Sequence, residues 1–117
     1  MRILLTGANG YVGRRLLPEL LSQGHEVICC VRDKNRLGLD KTTQERITIW
    51  EVDFLHTINL NNLPEKIDVA YYLIHSMTSS TSDFDVMEGK SAHNFNLYMN
   101  EIGVKQVIYL SGIVNNS

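Results

Sequence analysis

Three glycines at a spacing of three, set straight after a short apolar run, constrain this 117-residue chain more than any other feature. Residues 3–6, Ile-Leu-Leu-Thr, read as a buried strand. Gly7-Ala8-Asn9-Gly10-Tyr11-Val12-Gly13 follows, and residues 11–23 then carry Val12, Leu16, Leu17, Leu20 and Leu21 at helical spacing, with Gly24 as a stop. A strand that turns on glycines into a helix opens a β-α-β unit. Pro18 lies inside the helical pattern, where it removes one hydrogen bond and favours a bend.

The rest of the chain repeats the alternation. Residues 26–32 form a second strand, apolar from Val27 to Val31, which suits a strand covered on both faces. Residues 33–45 are polar, hold Gly38, and predict a short or irregular helix. Residues 47–52 alternate and predict a third strand; residues 53–63 predict a loop with at most one helical turn. Residues 67–74 predict a fourth strand and residues 77–82 a Ser/Thr-rich loop. Asp83 is the expected N-cap of a long helix whose buried face holds Phe84, Met87, Ala92, Phe95, Tyr98, Met99 and Ile102, ended by Gly103. Residues 107–110 predict a fifth strand. Strands alternating with helices imply an α/β fold of three layers, a parallel sheet of about five strands with helices on both faces. Right-handed crossovers set the strand order 3-2-1-4-5 and open a crevice between strands 1 and 4 at their carboxyl ends.

At that crevice each glycine has a task. Gly7 permits the tight turn out of the strand, Gly10 leaves the backbone open to a diphosphate, and Gly13 lets the helix pack close to the sheet. The helix start then offers free N–H groups and the positive end of its dipole to phosphate. Glycines also mark plain turns, but strand, motif, helix and second strand in this order match what a dinucleotide site requires. The residue at the end of strand 2 reads the adenosine ribose. Arg32 stands there, and a guanidinium can grip a 2′-phosphate, which favours NADP; Arg14 and Arg36 add charge nearby. If the register slips by one residue, Asp33 reads the 2′-hydroxyl instead and the cofactor is NAD. Asp53 is either an acceptor for the adenine amino group, with Phe54 beside the ring, or a turn carboxylate.

The remaining composition excludes more than it proposes. With 44% hydrophobic and 21% charged residues and a net charge of -2, the chain is an ordinary globular protein without the basic surplus that nucleic acid demands. No apolar run approaches membrane-spanning length. Cys29 and Cys30 are neighbours in a strand, point to opposite faces, and should not bond each other. With no room for a signal peptide before the glycine motif, a reduced cytoplasmic setting is expected. No pair among His25, His56, His75 and His93 has metal-ligand spacing, so no metal is expected. His75 leaves strand 4 at the crevice, where a positioning role is favoured over proton transfer because no carboxylate partner is visible.

The glycine motif, Val31-Arg32, Asp53-Phe54, Tyr72-Leu73-Ile74-His75 and the run from Gly103 to Gly112 together resemble the extended and atypical short-chain dehydrogenase/reductases. The resemblance is nearest to the NAD(P)H-binding, nucleoside-diphosphate-sugar epimerase-like and NmrA-like branch, and it covers essentially the whole chain. It implies a Rossmann domain over residues 1–117, cut before a C-terminal substrate-binding region. Thr6, Gly7, Asn9, Gly10, Tyr11, Val12 and Gly13 would hold the pyrophosphate. Arg32 would meet the 2′-phosphate of NADP, and Asp53 and Phe54 would flank the adenine. Leu73, Ile74 and His75 would line the nicotinamide-side ribose, with Ser111 near the nicotinamide. The wider family's Tyr-x-x-x-Lys pair is absent from this chain, and its assisting serine aligns with Gly112, so the catalytic residues stay unknown. The resemblance thus implies the cofactor-binding part of an oxidoreductase or epimerase acting on a small-molecule substrate; the alternative is a non-catalytic NADP-binding redox sensor. In many members the helix after strand 4 packs on a partner subunit, which admits a homo-oligomer.

Overall fold

The computed structural model describes residues 1–8, 10–36, 38–56, 59–73 and 82–109. Their order is β1 (Arg2–Thr6), α1 (Tyr11–Ser22), β2 (Glu26–Val31), a 3-10 turn (Lys34–Arg36), α2 (Lys41–Gln44), β3 (Thr48–Glu51), β4 (Val69–Tyr72), α3 (Ser82–Ile102) and β5 (Gln106–Tyr109). All five strands are parallel and lie in the order β3-β2-β1-β4-β5. This is the Rossmann sheet that the alternating pattern predicts.

Two apolar clusters sandwich the sheet. Ile3 and Leu5 of β1, with Val27 and Cys29 of β2, face Leu17, Leu20 and Leu21 of α1. Leu4, Ile28, Cys30, Ala70 and Tyr72 point the other way, onto Phe95, Tyr98 and Met99 of α3. The period-two alternation of β1 and β2 is therefore hidden in sequence, because both faces are covered and both sets are apolar. Cys29 and Cys30 fall in different clusters and are free. Burial pushes the Cys29 thiol up to about 12 and Cys30 well above its ordinary value, so neither is a nucleophile at neutral pH.

Local endings differ in detail from the sequence reading. α1 runs through Pro18 and closes when the Gly24 amide donates to the Leu21 carbonyl. Residues 33–45 resolve into two single turns, since no apolar stripe gives them a face to bury. β4 is shorter than its apolar run: Ile67 is buried but lies before the ladder, and Ile74 falls outside the described residues. Asp83 does not cap α3; the helix already begins at Ser82.

Candidate cofactor-binding site

The site grows from the carboxyl ends of β1 and β4. Thr6, the last residue of β1, is 1% exposed and uses its hydroxyl twice. It donates to the Tyr71 carbonyl at 3.0 Å and accepts from the Leu73 amide at 3.0 Å. One buried hydroxyl thus ties β1 to β4 at the floor of the crevice. Gly7 follows at φ +75°, and a Cβ there would stand 3.3 Å from the Leu73 Cβ. Leu73 is itself buried, so it borders the glycine turn through packing.

The three glycines differ in what they make room for. The Gly10 amide donates to the Gly7 carbonyl at 3.0 Å, closing a tight turn. A Cβ on Gly13 would sit 2.0 Å from that same carbonyl oxygen and 2.8 Å from the Ala8 Cα, so the helix packs against its own entry loop at a distance only glycine allows. A Cβ on Gly10 would meet only the Gly7 carbonyl, at 3.3 Å. Gly10 caps α1 without a side-chain hydrogen bond, and the first i→i−4 bond runs from the Arg14 amide to the Gly10 carbonyl. The amides of Tyr11, Val12 and Gly13 precede that bond and have no acceptor inside the helix. The side chains of Tyr11 and Val12 are 71% and 39% exposed, leaving the helix start open toward solvent. Among the described residues the start of α1 thus offers amides without a helical acceptor and the positive end of its dipole, features that suit an anion.

Around this helix start, Arg32 is exposed one residue past β2, and Asp33 follows it. The Asp33 carboxylate accepts the Asn35 amide at 2.9 Å, and the Lys34 amide donates to Glu51 Oε2 at 3.0 Å. The loop is thereby folded onto the end of β3. Past β3, Asp53 accepts the Leu55 amide at 2.9 Å and lies 3.5 Å from His56 Nε2. Asp53 and His56 border a cleft of about 200 Å³. Phe54 turns inward instead. It is 5% exposed and packs edge-on against Trp50, Phe95 and Tyr98, so its ring belongs to the core. Asn9, Ile74, His75 and Ser111 lie outside the described residues. Among the described residues no group of three or more His, Cys, Asp and Glu side chains converges on a common point, and no helix is long and apolar enough to cross a membrane.

Three polar residues of α3 position the site's walls without a motif to announce them. Asn94 is 8% exposed and donates to the carbonyls of Phe54 and His56. The Tyr98 hydroxyl accepts the Asn59 amide at 2.9 Å, and Ser91 shares a hydrogen bond with the Tyr72 hydroxyl. The only signal in sequence is polar residues at i, i+3 and i+7 on a helix face that is otherwise apolar.

A domain family described as NAD(P)H-binding matches residues 7–116. The chain belongs to that family. Its domain resembles the nicotinamide-binding part of epimerase- and reductase-type proteins. A stretch of 33 residues is 54% identical to a dTDP-6-deoxy-L-talose 4-dehydrogenase (NAD(+)) of Aggregatibacter actinomycetemcomitans, covering 28% of this chain and 12% of that one. A Bacillus halodurans structure of the NAD-dependent epimerase/dehydratase type superposes at a TM-score of 0.75 with 27% identity, over 97% of this chain and 52% of the other. Candida albicans Gre2 in complex with NADPH shares the fold at a TM-score of 0.72 and 15% identity, over 93% of this chain and 36% of that one. The chain thus spans an eighth to a half of the length of these relatives.

Proposed function

We propose that this domain binds NADP(H) and is the cofactor-holding part of an oxidoreductase or sugar-nucleotide epimerase-type protein. The observation that carries the reading is the Gly7-Gly10-Gly13 cradle with Arg32 exposed at the end of the neighbouring strand. In this assignment the amides of Tyr11, Val12 and Gly13 receive the diphosphate, with Asn9 completing the loop. Arg32 meets the ribose 2′-phosphate. Asp53 faces the adenine through its carboxylate, and Phe54 supports it from the core. Leu73, Ile74 and His75 line the nicotinamide-side ribose, and Ser111 lies near the ring. When bound, the nicotinamide supplies a hydride donor or acceptor; the residues of this chain orient it. Two free, buried cysteines accord with a reducing, cytoplasmic setting.

Calorimetric titration of the purified chain with NADP⁺ and NAD⁺ tests the cofactor. NADP⁺ should bind more tightly, and Arg32→Ala should weaken it about ten- to a hundredfold, the equivalent of about 1.5–3 kcal/mol for hydrogen bonds to a charged group. NAD⁺ affinity should hold. Tighter NAD⁺ binding by the unaltered chain rejects the NADP assignment.

A further inference from the structure

The start of α1 is weakly held. Its N-cap, Gly10, makes no side-chain hydrogen bond, and no acidic residue occupies the first turn. Pro18 has no N–H to donate to the Arg14 carbonyl, so the first turn also lacks one of its i→i−4 bonds. Gly10, Tyr11 and Val12 are exposed. The turn leading into the helix is closed by the Gly10 amide, which donates to the Gly7 carbonyl at 3.0 Å. Asn9 lies outside the described residues, but its covalent bond makes the Gly10 nitrogen the next one in the chain. Of the chain's ten asparagines, Asn9 alone precedes a glycine. Asparagine is a chemically labile residue, and before glycine no following side chain shields its amide from the next backbone nitrogen.

We propose that Asn9-Gly10 is a self-modification site shut by the bound dinucleotide: the empty domain converts Asn9 to a carboxylate and loses dinucleotide binding, and the occupied domain does not. The inference rests on the diphosphate reading of the glycine loop and is the same for NADP and NAD. The Gly10 nitrogen gives its proton to solvent base and attacks the side-chain carbonyl carbon of Asn9. A C–N bond forms, the bond to the side-chain nitrogen breaks, and ammonia leaves with the proton it needs. Water then opens the cyclic imide at either carbonyl, giving an aspartyl or an isoaspartyl residue. The sum is amide plus water to carboxylate plus ammonium, with no change of oxidation state. The hydrogen bond to Gly7 occupies the attacking nitrogen, so the turn must open first. A diphosphate on the amides of Tyr11, Val12 and Gly13 supplies the acceptors that the helix lacks and holds the turn shut. After conversion, the new carboxylate faces the positive end of α1 and repels a diphosphate. The isoaspartyl form also lengthens the backbone inside the turn.

The test incubates the purified chain in mildly alkaline buffer, alone and with NADP⁺ or NAD⁺, and follows the tryptic peptide of residues 3–14 by chromatography and mass spectrometry. Asn9 is the only side-chain amide in that peptide. Without dinucleotide the peptide should gain the mass difference between OH and NH2 and split into aspartyl and isoaspartyl forms. Dinucleotide at about a hundred times its Kd should slow this about tenfold or more, and should have no effect on the urea-unfolded chain. Asn9→Asp should bind the dinucleotide about tenfold or more weakly than the parent while unfolding at an equal or higher urea concentration, since the carboxylate suits the helix end. If calorimetry shows that the fresh, unaltered chain binds neither dinucleotide, the cofactor reading itself fails. If it binds one and the peptide converts equally fast with and without it, or does not convert at all, only the present inference is overturned. Asn9→Asp binding as tightly as the parent, or binding weakly with a lowered urea midpoint, overturns it too, because charge at position 9 then does not close the site.

Discussion

At the scale of single residues, the crevice depends on atoms that are absent as much as on atoms that are present. Gly10 and Gly13 belong to the same motif, yet the structure separates their roles. A methyl group on Gly13 would overlap the Gly7 carbonyl at 2.0 Å, and both partners are backbone. Gly13→Ala should therefore lower stability by about 1–3 kcal/mol or more, as overpacking changes do. Gly10→Ala needs only a few tenths of an ångström of relief at 3.3 Å, so the fold should survive while dinucleotide binding falls. Urea midpoints and cofactor titrations on the two variants check this; equal midpoints would mean that α1 can withdraw from its entry loop. Thr6 makes the complementary case. Thr6→Val keeps the shape but leaves the buried Leu73 amide without its acceptor, a loss of about 1–3 kcal/mol. Thr6→Ser should recover most of it. A valine variant as stable as the original would remove the hydroxyl as the tie between β1 and β4.

At the scale of elements, α3 acts as the scaffold for the loop after β3. Asn94 holds the carbonyls of Phe54 and His56, and this fixes the backbone on either side of Leu55, next to Asp53. Asn94→Leu should weaken NADP⁺ and NAD⁺ by the same factor, since both share the adenine end, and leave their ratio unchanged. A change in the ratio would place Asn94's influence at the ribose instead. This element also shows where sequence is readable and where it is not. Most strands announced themselves as apolar runs, the third by alternation, and Phe95, Tyr98 and Met99 as a helical stripe, because burial leaves a trace. Asn94 left none: its partners are main-chain carbonyls some forty residues upstream. Phe54 was misread for a related reason. It follows a strand next to a carboxylate, which suits an adenine wall, but the turn after β3 swings it into the aromatic cluster with Trp50, Phe95 and Tyr98. Residues 33–45 were legible as a short or irregular helix, but not as two separate turns, which hydrogen bonds involving Asp33, Glu51 and Gln44 hold without any periodicity. The strand–turn–helix at the glycine motif, by contrast, was legible, because Gly7 has φ +75° and a Cβ on Gly13 would collide with the Gly7 carbonyl.

At the scale of the whole molecule, the sheet has two ends with opposite assignments. The carboxyl end holds the cradle; the amino end is closed by one carboxylate. Asp68 Oδ2 accepts the Arg2 amide at 2.9 Å, and its Oδ1 lies 3.3 Å from Lys105 Nζ. Its own amide donates to the Arg2 carbonyl, and its carbonyl accepts the Gln106 amide, so β1, β4 and β5 meet at this residue. The hydrogen bond from the Arg2 amide, then that from Lys105, hold the Asp68 carboxyl below the ordinary carboxylate range. A carboxyl whose value is lowered by folding stabilises the fold fully above its unfolded value, and that contribution disappears as pH falls through the lower, folded one. The domain should therefore lose urea resistance in acid, below the ordinary carboxylate value, and gain nothing from Asp68 on going from neutral to alkaline pH. Asp68→Asn retains an acceptor for the Arg2 amide but not the charge facing Lys105. It should be less stable than the parent at pH 7 and converge with it in strong acid, where the parent's carboxyl is protonated. Urea midpoints measured from pH 7 down to pH 2 would show the two curves approaching each other. Curves that stay parallel over that range would mean that the charge of Asp68 does not hold the amino end of the sheet, and that the backbone ladder between β1, β4 and β5 closes it alone.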